Sequence, residues 1–211
     1  MKIILASDSS FLLKYGYALA GIPKNQMKIG YITTASKGAR NFGQRVQEII
    51  MPSIKENGYS LDEIDIVGKS KDELRNFFKD KNVIQMEGGN TFYLLKAIRE
   101  TGFAEILKKL LEEGRIYIGS SAGAYIACPS IVVADWADET ADRFGISDFT
   151  ALNYVPFVLK AHYTDEKEIE VREGMQTLKY PMRILRDGEG IFCEDGVCKF
   201  VGDGEEVKFS N

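Results

Sequence analysis

Histidine, cysteine and long apolar runs are all scarce in this chain of 211 residues. One histidine and three cysteines are too few for a structural metal site or a disulfide framework, so we expect no metal. The apolar stretches are far shorter than the roughly 18 residues of a membrane span. The first apolar residues give way to a polar segment too early for a signal peptide. We therefore expect a cytoplasmic protein.

An excess of basic residues is also missing. The chain has 27 Lys and Arg against 31 Asp and Glu, which gives a net charge of −4. Proteins that bind nucleic acid or anionic membrane surfaces carry basic patches, so we expect neither partner. The hydrophobic fraction of 45% is enough for a sizeable core. The length fits one domain over residues 1–211, as a monomer or homodimer.

The first half of the chain alternates between strand and helix patterns. Apolar, β-branched segments typical of buried strands occupy 2–6, 27–34, 64–67, 82–86 and 115–118. Between them, helical periodicity or capping signals predict helices over 41–56, 70–79, 90–100 and 103–113. This alternation is typical of an α/β fold with a mostly parallel central sheet flanked by helices.

The last third has a different pattern. We predict a strand over 154–160 and a charged helix over 165–178, followed by short strands over 182–185, 190–194, 197–201 and 207–209. These form an antiparallel C-terminal extension of the same core. Cys193 and Cys198 flank a predicted turn at Asp195-Gly196 and so face each other. In a reducing cytosol we expect them to remain free thiols.

The clearest chemical motif is Gly119-Ser120-Ser121-Ala122-Gly123. It matches G-x-S-x-G, the nucleophile elbow, and it stands between a strand-like and a helix-compatible segment, as that motif requires. The spacing selects Ser121 over Ser120 as the nucleophile. The alternative is a tight turn with a capping serine.

A second motif, Glu87-Gly88-Gly89-Asn90, follows the strand predicted over 82–86. In a parallel sheet this loop and the Ser121 turn both lie at the carboxyl ends of strands, where ligands bind. The N–H groups of Gly88 or Gly89 and of Ala122 could then form an oxyanion hole. Asn90 fits as a helix N-cap and is also a candidate substrate-binding residue. No phosphate-binding glycine motif is present.

A serine nucleophile needs a general base, and His162 is the one histidine available. The acid that would orient His162 stays open at this point. Asp135 and Asp138 lie between Ser121 and His162, and Glu189 lies after it. Chain order does not decide, because known triads use several orders.

In combination these segments resemble peptidase family S51, the dipeptidase E-like serine peptidases. The resemblance rests on residues 87–95 and 119–124, on Cys128-Pro129-Ser130, and on Ala161-His162-Tyr163-Thr164. It implies a class I glutamine amidotransferase-like, flavodoxin-like fold. The amidotransferases themselves differ, because they carry a cysteine at the elbow.

The resemblance also implies roles for individual residues. Ser121 would be the nucleophile and His162 the base, with the oxyanion hole near Gly88, Gly89 and Ala122. Glu189 and Asp135 rank close together as the acid, ahead of Asp138. Arg172 stands where the family's candidate cation for an N-terminal Asp side chain would fall.

The leading hypothesis is a serine peptidase that acts on short peptides, including dipeptides with N-terminal Asp. This serine chemistry implies no organic cofactor. One alternative is a non-catalytic ligand-binding or regulatory protein on the same scaffold. Another is an esterase or amidase for small molecules. Cyanophycinase, a longer relative that acts on an aspartate-arginine polymer, is a minor alternative.

Overall fold

A seven-stranded sheet forms the centre of the structure, a computed structural model that describes residues 1–136 and 143–209. The described residues form nine strands, of which seven make up this sheet and β6 and β7 form a separate two-stranded sheet. They are β1 (Lys2–Ala6), β2 (Lys28–Ile32), β3 (Ser60–Ile64), β4 (Val83–Met86), β5 (Ile116–Ser120), β6 (Val158–Lys160), β7 (Met182–Ile184), β8 (Gly190–Glu194) and β9 (Val197–Val201). The sheet order is β3-β2-β4-β5-β1-β8-β9. The first five of these strands are parallel, and β8 and β9 are antiparallel. The predicted α/β architecture is confirmed.

Helices cover both faces of this sheet. On one face lie α1 (Ser9–Phe11), α2 (Tyr17–Leu19), α4 (Phe42–Arg45) and α5 (Met51–Glu56), which pack with Ile4 and Ala6 of β1. On the other lie α6 (Lys71–Phe78), α7 (Thr91–Thr101), α8 (Phe103–Glu112) and α9 (Ala122–Ala127), which pack with Ile3 and Leu5. Successive residues of β1 therefore pack into two different hydrophobic cores, one on each face of the sheet. The short α3 (Thr34–Lys37) follows β2, and α10 (Glu168–Thr177) packs near β7.

Several predicted boundaries need correction. The third strand lies at Ser60–Ile64 rather than 64–67, because it is a half-exposed edge strand whose polar residues hide the pattern. The strand predicted over 154–160 is only three residues long, as β6, and residues 207–209 contribute one isolated bridge, from Val207 to Ile184. The predicted antiparallel extension is limited to β8 and β9, because β7 pairs in parallel with β6 in a separate sheet. The helix predicted over 41–56 contains a π-helical turn at Val46–Ile50. Residues 9–19, for which the sequence pattern predicts no element, are helical.

The expectation of free thiols at Cys193 and Cys198 is wrong in this structure. The two residues form a directly opposed pair in the β8–β9 hairpin, with a Cα–Cα distance of 4.0 Å, and are joined by a disulfide. Asp195 and Gly196 both adopt positive φ angles, as a tight hairpin turn requires. The predicted turn is therefore present, and it brings the two sulfur atoms together.

The topology brings five chain segments to one edge of the sheet. The segments that follow β1, β4 and β5 leave at the carboxyl ends of three parallel strands. The residues before β8 reach the same edge because β8 runs antiparallel to β1. β6 pairs in parallel with β7, so the residues after Lys160 and after Ile184 run side by side. Within residues 1–136 and 143–209, no helix is both long and apolar enough to cross a membrane.

Candidate active site

Ser121 occupies a sharp turn between β5 and α9. Its backbone has φ 49° and ψ −107°, a region that residues with a side chain rarely adopt. The turn brings the start of α9 against β4, and a Cβ at Gly123 would lie 2.2 Å from the Met86 carbonyl oxygen. The Gly123 carbonyl accepts a hydrogen bond of 2.6 Å from the buried Tyr117 hydroxyl. The strand, turn and helix that a nucleophile elbow requires are all present.

His162 lies directly across from Ser121, just after β6. Its Nε2 atom is 2.9 Å from Ser121 Oγ, within hydrogen-bonding distance. The backbone of His162 also has a positive φ, of 54°, and two contacts hold it there. Its N–H donates to Ser7 Oγ at 2.9 Å, and its carbonyl accepts from Lys167 Nζ at 2.8 Å.

The acid beside His162 is Asp187, which is not among the acids predicted from the sequence. Its Oδ1 atom lies 2.6 Å from His162 Nδ1 and also accepts a 3.0 Å hydrogen bond from the Ser7 hydroxyl. The hydrogen bond with His162 holds the pKa of Asp187 below its ordinary value, although partial burial opposes this shift. Asp187 is therefore ionised at neutral pH. Ser7, fully buried, links the backbone of the base to the acid.

The acids that the sequence does select make other contacts. Glu189 Oε2 accepts the backbone N–H of Arg186 at 2.7 Å, which closes the turn that carries Asp187. Burial raises the pKa of Glu189. Asp135 forms an ion pair of 2.8 Å with Arg143. Asp138 lies outside the described residues.

The sequence does carry a signal that could have led to Asp187. The segment before β8 must reach the carboxyl edge of the parallel strands once β8 is antiparallel to β1. Both Asp187 and Glu189 stand in that segment. The choice between them depends on a turn in which Glu189 folds back on Arg186, and spacing alone does not reveal that contact.

The loop after β4 passes beside Ser121, as predicted. Gly89 adopts a φ of 133°, and a Cβ there would lie 2.2 Å from the Ala35 carbonyl oxygen, so only glycine fits. The Gly88 N–H already donates to Glu87 Oε1 at 2.7 Å. Asn90 caps α7 by accepting the Tyr93 N–H at 2.8 Å. Ala122 is the first residue of α9, where helix N–H groups lack partners within the helix.

Glu87 is a buried carboxyl group beneath this loop. Besides the Gly88 N–H, it accepts hydrogen bonds from the hydroxyls of Tyr31 and Ser120. Burial raises its pKa despite these donors. The group joins the ends of β2, β4 and β5, and so fixes the loop relative to the nucleophile turn.

A cavity of about 360 Å³ opens above Ser121 and His162. Its lining includes Asp8, Phe42, Arg45, Ile50 and Gly89. Arg172 does not line this cavity; its guanidinium pairs with Glu168 at 2.7 Å and stacks on the ring of Phe209. No cluster of His, Cys, Asp and Glu suited to a metal ion occurs in the described parts of the chain.

Comparison with known proteins points to one family. Residues 7–204 match the sequence model of Peptidase family S51. An uncharacterized peptidase of Pasteurella multocida is 32% identical over 178 residues, which cover 82% of each chain. Peptidase E of Escherichia coli is 37% identical over 90 residues, which cover 41% of this chain and 36% of that relative.

A solved structure from Listeria monocytogenes, provisionally assigned as a peptidase E protein, has the same fold. It superposes with a TM-score of 0.79 at 24% identity and covers 96% of this chain and 98% of its own. The family match spans nearly the whole chain, including the segments that carry Ser121, His162 and Asp187. The chain therefore belongs to Peptidase family S51 and is a serine peptidase.

Proposed function

We propose that this protein hydrolyses short peptides, among them dipeptides with N-terminal Asp, through an acyl-enzyme on Ser121. One observation carries the proposal: a continuous hydrogen-bonded chain runs from Ser121 Oγ through His162 to Asp187 Oδ1, with distances of 2.9 and 2.6 Å. This is the arrangement in which an imidazole can activate a serine hydroxyl while a carboxylate fixes its tautomer.

The reaction then proceeds in two half-reactions. Ser121 Oγ attacks the peptide carbonyl carbon while His162 Nε2 takes the hydroxyl proton. The tetrahedral intermediate collapses, the C–N bond breaks, and His162 gives that proton to the leaving amine. A water molecule, deprotonated by the same nitrogen, hydrolyses the acyl-enzyme and releases the acid product. Asp187 stays ionised and stabilises the imidazolium in both half-reactions.

The oxyanion of each intermediate needs N–H donors beside Ser121. We assign Gly89 and Ala122 to this task, since the Gly88 N–H already has Glu87 as its acceptor. In this assignment the role of Glu87 is to hold the loop in place. The cavity volume of about 360 Å³ lies near the lower end of the range for small-molecule sites, which favours short substrates.

The orientation of His162 argues against a non-catalytic binding protein. The positive φ of His162 is an unfavourable backbone conformation, and hydrogen bonds with Ser7 and Lys167 maintain it. A histidine without a catalytic role gives no reason for this arrangement. Here that backbone directs Nε2 at a serine that is itself in a strained turn. Strain at two facing residues is typical of an active site.

A fluorophosphonate probe tests the proposal directly, because it labels serines that a neighbouring base activates. We expect a single adduct on Ser121 of the wild type by intact mass and peptide mapping, and none with Ser121→Ala or His162→Ala. A panel of dipeptides and matched esters then separates peptidase from esterase activity. A folded wild-type protein that forms no adduct and cleaves no peptide would overturn the proposal.

A further inference from the structure

Arg45 is a charged group in the catalytic cavity that the proposed mechanism does not use. Its side chain lines the same cavity as Ser121 and His162. Within residues 1–136 and 143–209, its guanidinium has no hydrogen bond or ion pair. An arginine presents five N–H donors in a planar fork that matches a carboxylate.

The acidic groups of the cavity are, by contrast, already bound to protein donors. Asp8 Oδ1 accepts from the Ser10 hydroxyl at 2.8 Å and from the Gly188 N–H at 3.0 Å. Asp187 is held by His162 and Ser7, and Glu87 by the donors beneath the loop. The carboxylates of the cavity thus already accept hydrogen bonds, whereas the five N–H donors of Arg45 have no acceptor among the described residues. A ligand that supplies paired oxygen acceptors, such as a carboxylate, would complement them.

The local helix geometry presents Arg45 to the cavity. Residues five apart in an α-helix lie about 140° apart around the axis, so Arg45 and Ile50 would normally occupy different faces. The π-helical turn at Val46–Ile50 has more residues per turn and brings both onto the cavity side. Phe42, one α-helical turn before Arg45, joins them there. The result is a cation between two apolar groups.

From these observations we propose that Arg45 is a specificity-determining residue that binds a carboxylate of the peptide substrate. The inference rests on the proposed function for the chemistry of the site. The carboxylate has two sources in a short peptide: an acidic side chain such as that of N-terminal Asp, or the free C-terminus. Arg45 takes the place that the family resemblance gives to Arg172, whose guanidinium is bound outside the cavity by Glu168 and Phe209.

Binding measured without turnover tests Arg45 independently of catalysis. Calorimetric titration of the Ser121→Ala protein with Asp-Leu, Ala-Leu, Asp-Leu-amide and Ala-Leu-amide gives the affinity for each carboxylate. Adding Arg45→Gln should weaken binding by about 10- to 150-fold for peptides that carry the recognised carboxylate. Arg45→Lys should restore part of the loss. Arg40→Gln is the matched control, since Arg40 is an exposed arginine outside the cavity lining.

The pattern of losses identifies the source of the carboxylate. A loss confined to the two Asp peptides assigns the side chain, and a loss confined to the two free acids assigns the C-terminus. Equal affinities with and without Arg45, the same loss for all four peptides, or no binding of any peptide would overturn the inference. Arg45-dependent binding without a fluorophosphonate adduct in the wild type would instead keep this inference and overturn the proposed catalytic function.

Discussion

Replacing Asp187 with asparagine removes the negative charge beside His162 and keeps nearly the same shape. In the wild type the carboxylate lies 2.6 Å from His162 Nδ1, where the proposed mechanism has it stabilise the positive charge that His162 gains. An asparagine can instead turn its NH₂ group toward Nδ1 and favour the tautomer that cannot accept the Ser121 proton. Both effects lower kcat, whereas the cavity that binds the substrate is retained.

The size of the effect follows from the distance and the exposure of the pair. At 2.6 Å, two unit charges attract by roughly 1.6 kcal/mol in water and roughly 6 kcal/mol at an effective dielectric constant near 20. The side chains of His162 and Asp187 are 42% and 61% exposed, so the attraction falls between these limits. At about 1.4 kcal/mol per factor of ten, charge alone accounts for about 10- to 10⁴-fold. The same change in the chymotrypsin-type triad, where the tautomer is also wrong, costs about 10⁴-fold in kcat.

We therefore expect Asp187→Asn to lower kcat by roughly 10³-fold with little change in KM. Steady-state cleavage of a dipeptide and the rate of fluorophosphonate labelling both measure the loss. Glu189→Gln is the matched control, because its amide oxygen can still accept the Arg186 N–H. The control should stay within about threefold of the wild type. Full activity of Asp187→Asn together with a large loss for Glu189→Gln would refute the assignment and restore Glu189 as the acid.

Two further substitutions test the structure around this site. Burial raises the pKa of Glu87 above 4.5, so between the pKa of the unfolded chain and that of the folded protein the folded protein holds a proton that the unfolded chain releases. The free energy of unfolding of the wild type therefore falls as the pH rises through the range between these two pKa values. Glu87→Gln has no titrating group here, so in urea unfolding from pH 4.5 upward its free energy of unfolding should rise relative to that of the wild type. A difference between the two proteins that stays constant with pH would contradict the reasoning. In Gly123→Ala the new Cβ meets the Met86 carbonyl oxygen at 2.2 Å, and we expect overpacking to cost about 1–3 kcal/mol, more than the gain in helix propensity of at most about 1 kcal/mol. Unchanged or increased stability in urea would show that the turn relaxes.

The sequence is most informative where one physical signal dominates. The buried strand Lys2–Ala6 and the hairpin strands Gly190–Glu194 and Val197–Val201 are predicted to the residue, because apolar runs and a tight turn fix their ends. The capping box at Ser70 likewise marks the start of α6. The edge strand β3 is misplaced because three of its five residues are exposed and polar, so it contains no continuous apolar run.

The candidate site is predictable in part for the same reason. Ser121 and the loop after β4 carry local motifs, and His162 is the one histidine in the chain. The acid carries no local motif. Asp187 contacts His162 because β6 and β7 pair in parallel, a contact between segments 25 residues apart. Ser7 joins the site from 155 residues away in sequence, and no local pattern marks it.

The distance between Ser7 and Asp187 along the chain also orders events during synthesis. Ser7 leaves the ribosome before both of its partners in the site, the backbone N–H of His162 and the carboxylate of Asp187. Asp187 follows Ser7 by 180 residues, so the Ser7 hydroxyl has no acid to bind until late in synthesis. A nascent chain that has exposed both Ser121 and His162 still lacks the acid and the strand β8 that pairs with β1. Such an unfinished chain carries a serine and a histidine but no assembled triad. In the proposed mechanism, full hydrolytic activity therefore requires the C-terminal third to dock against the first strand, a step that comes late in synthesis.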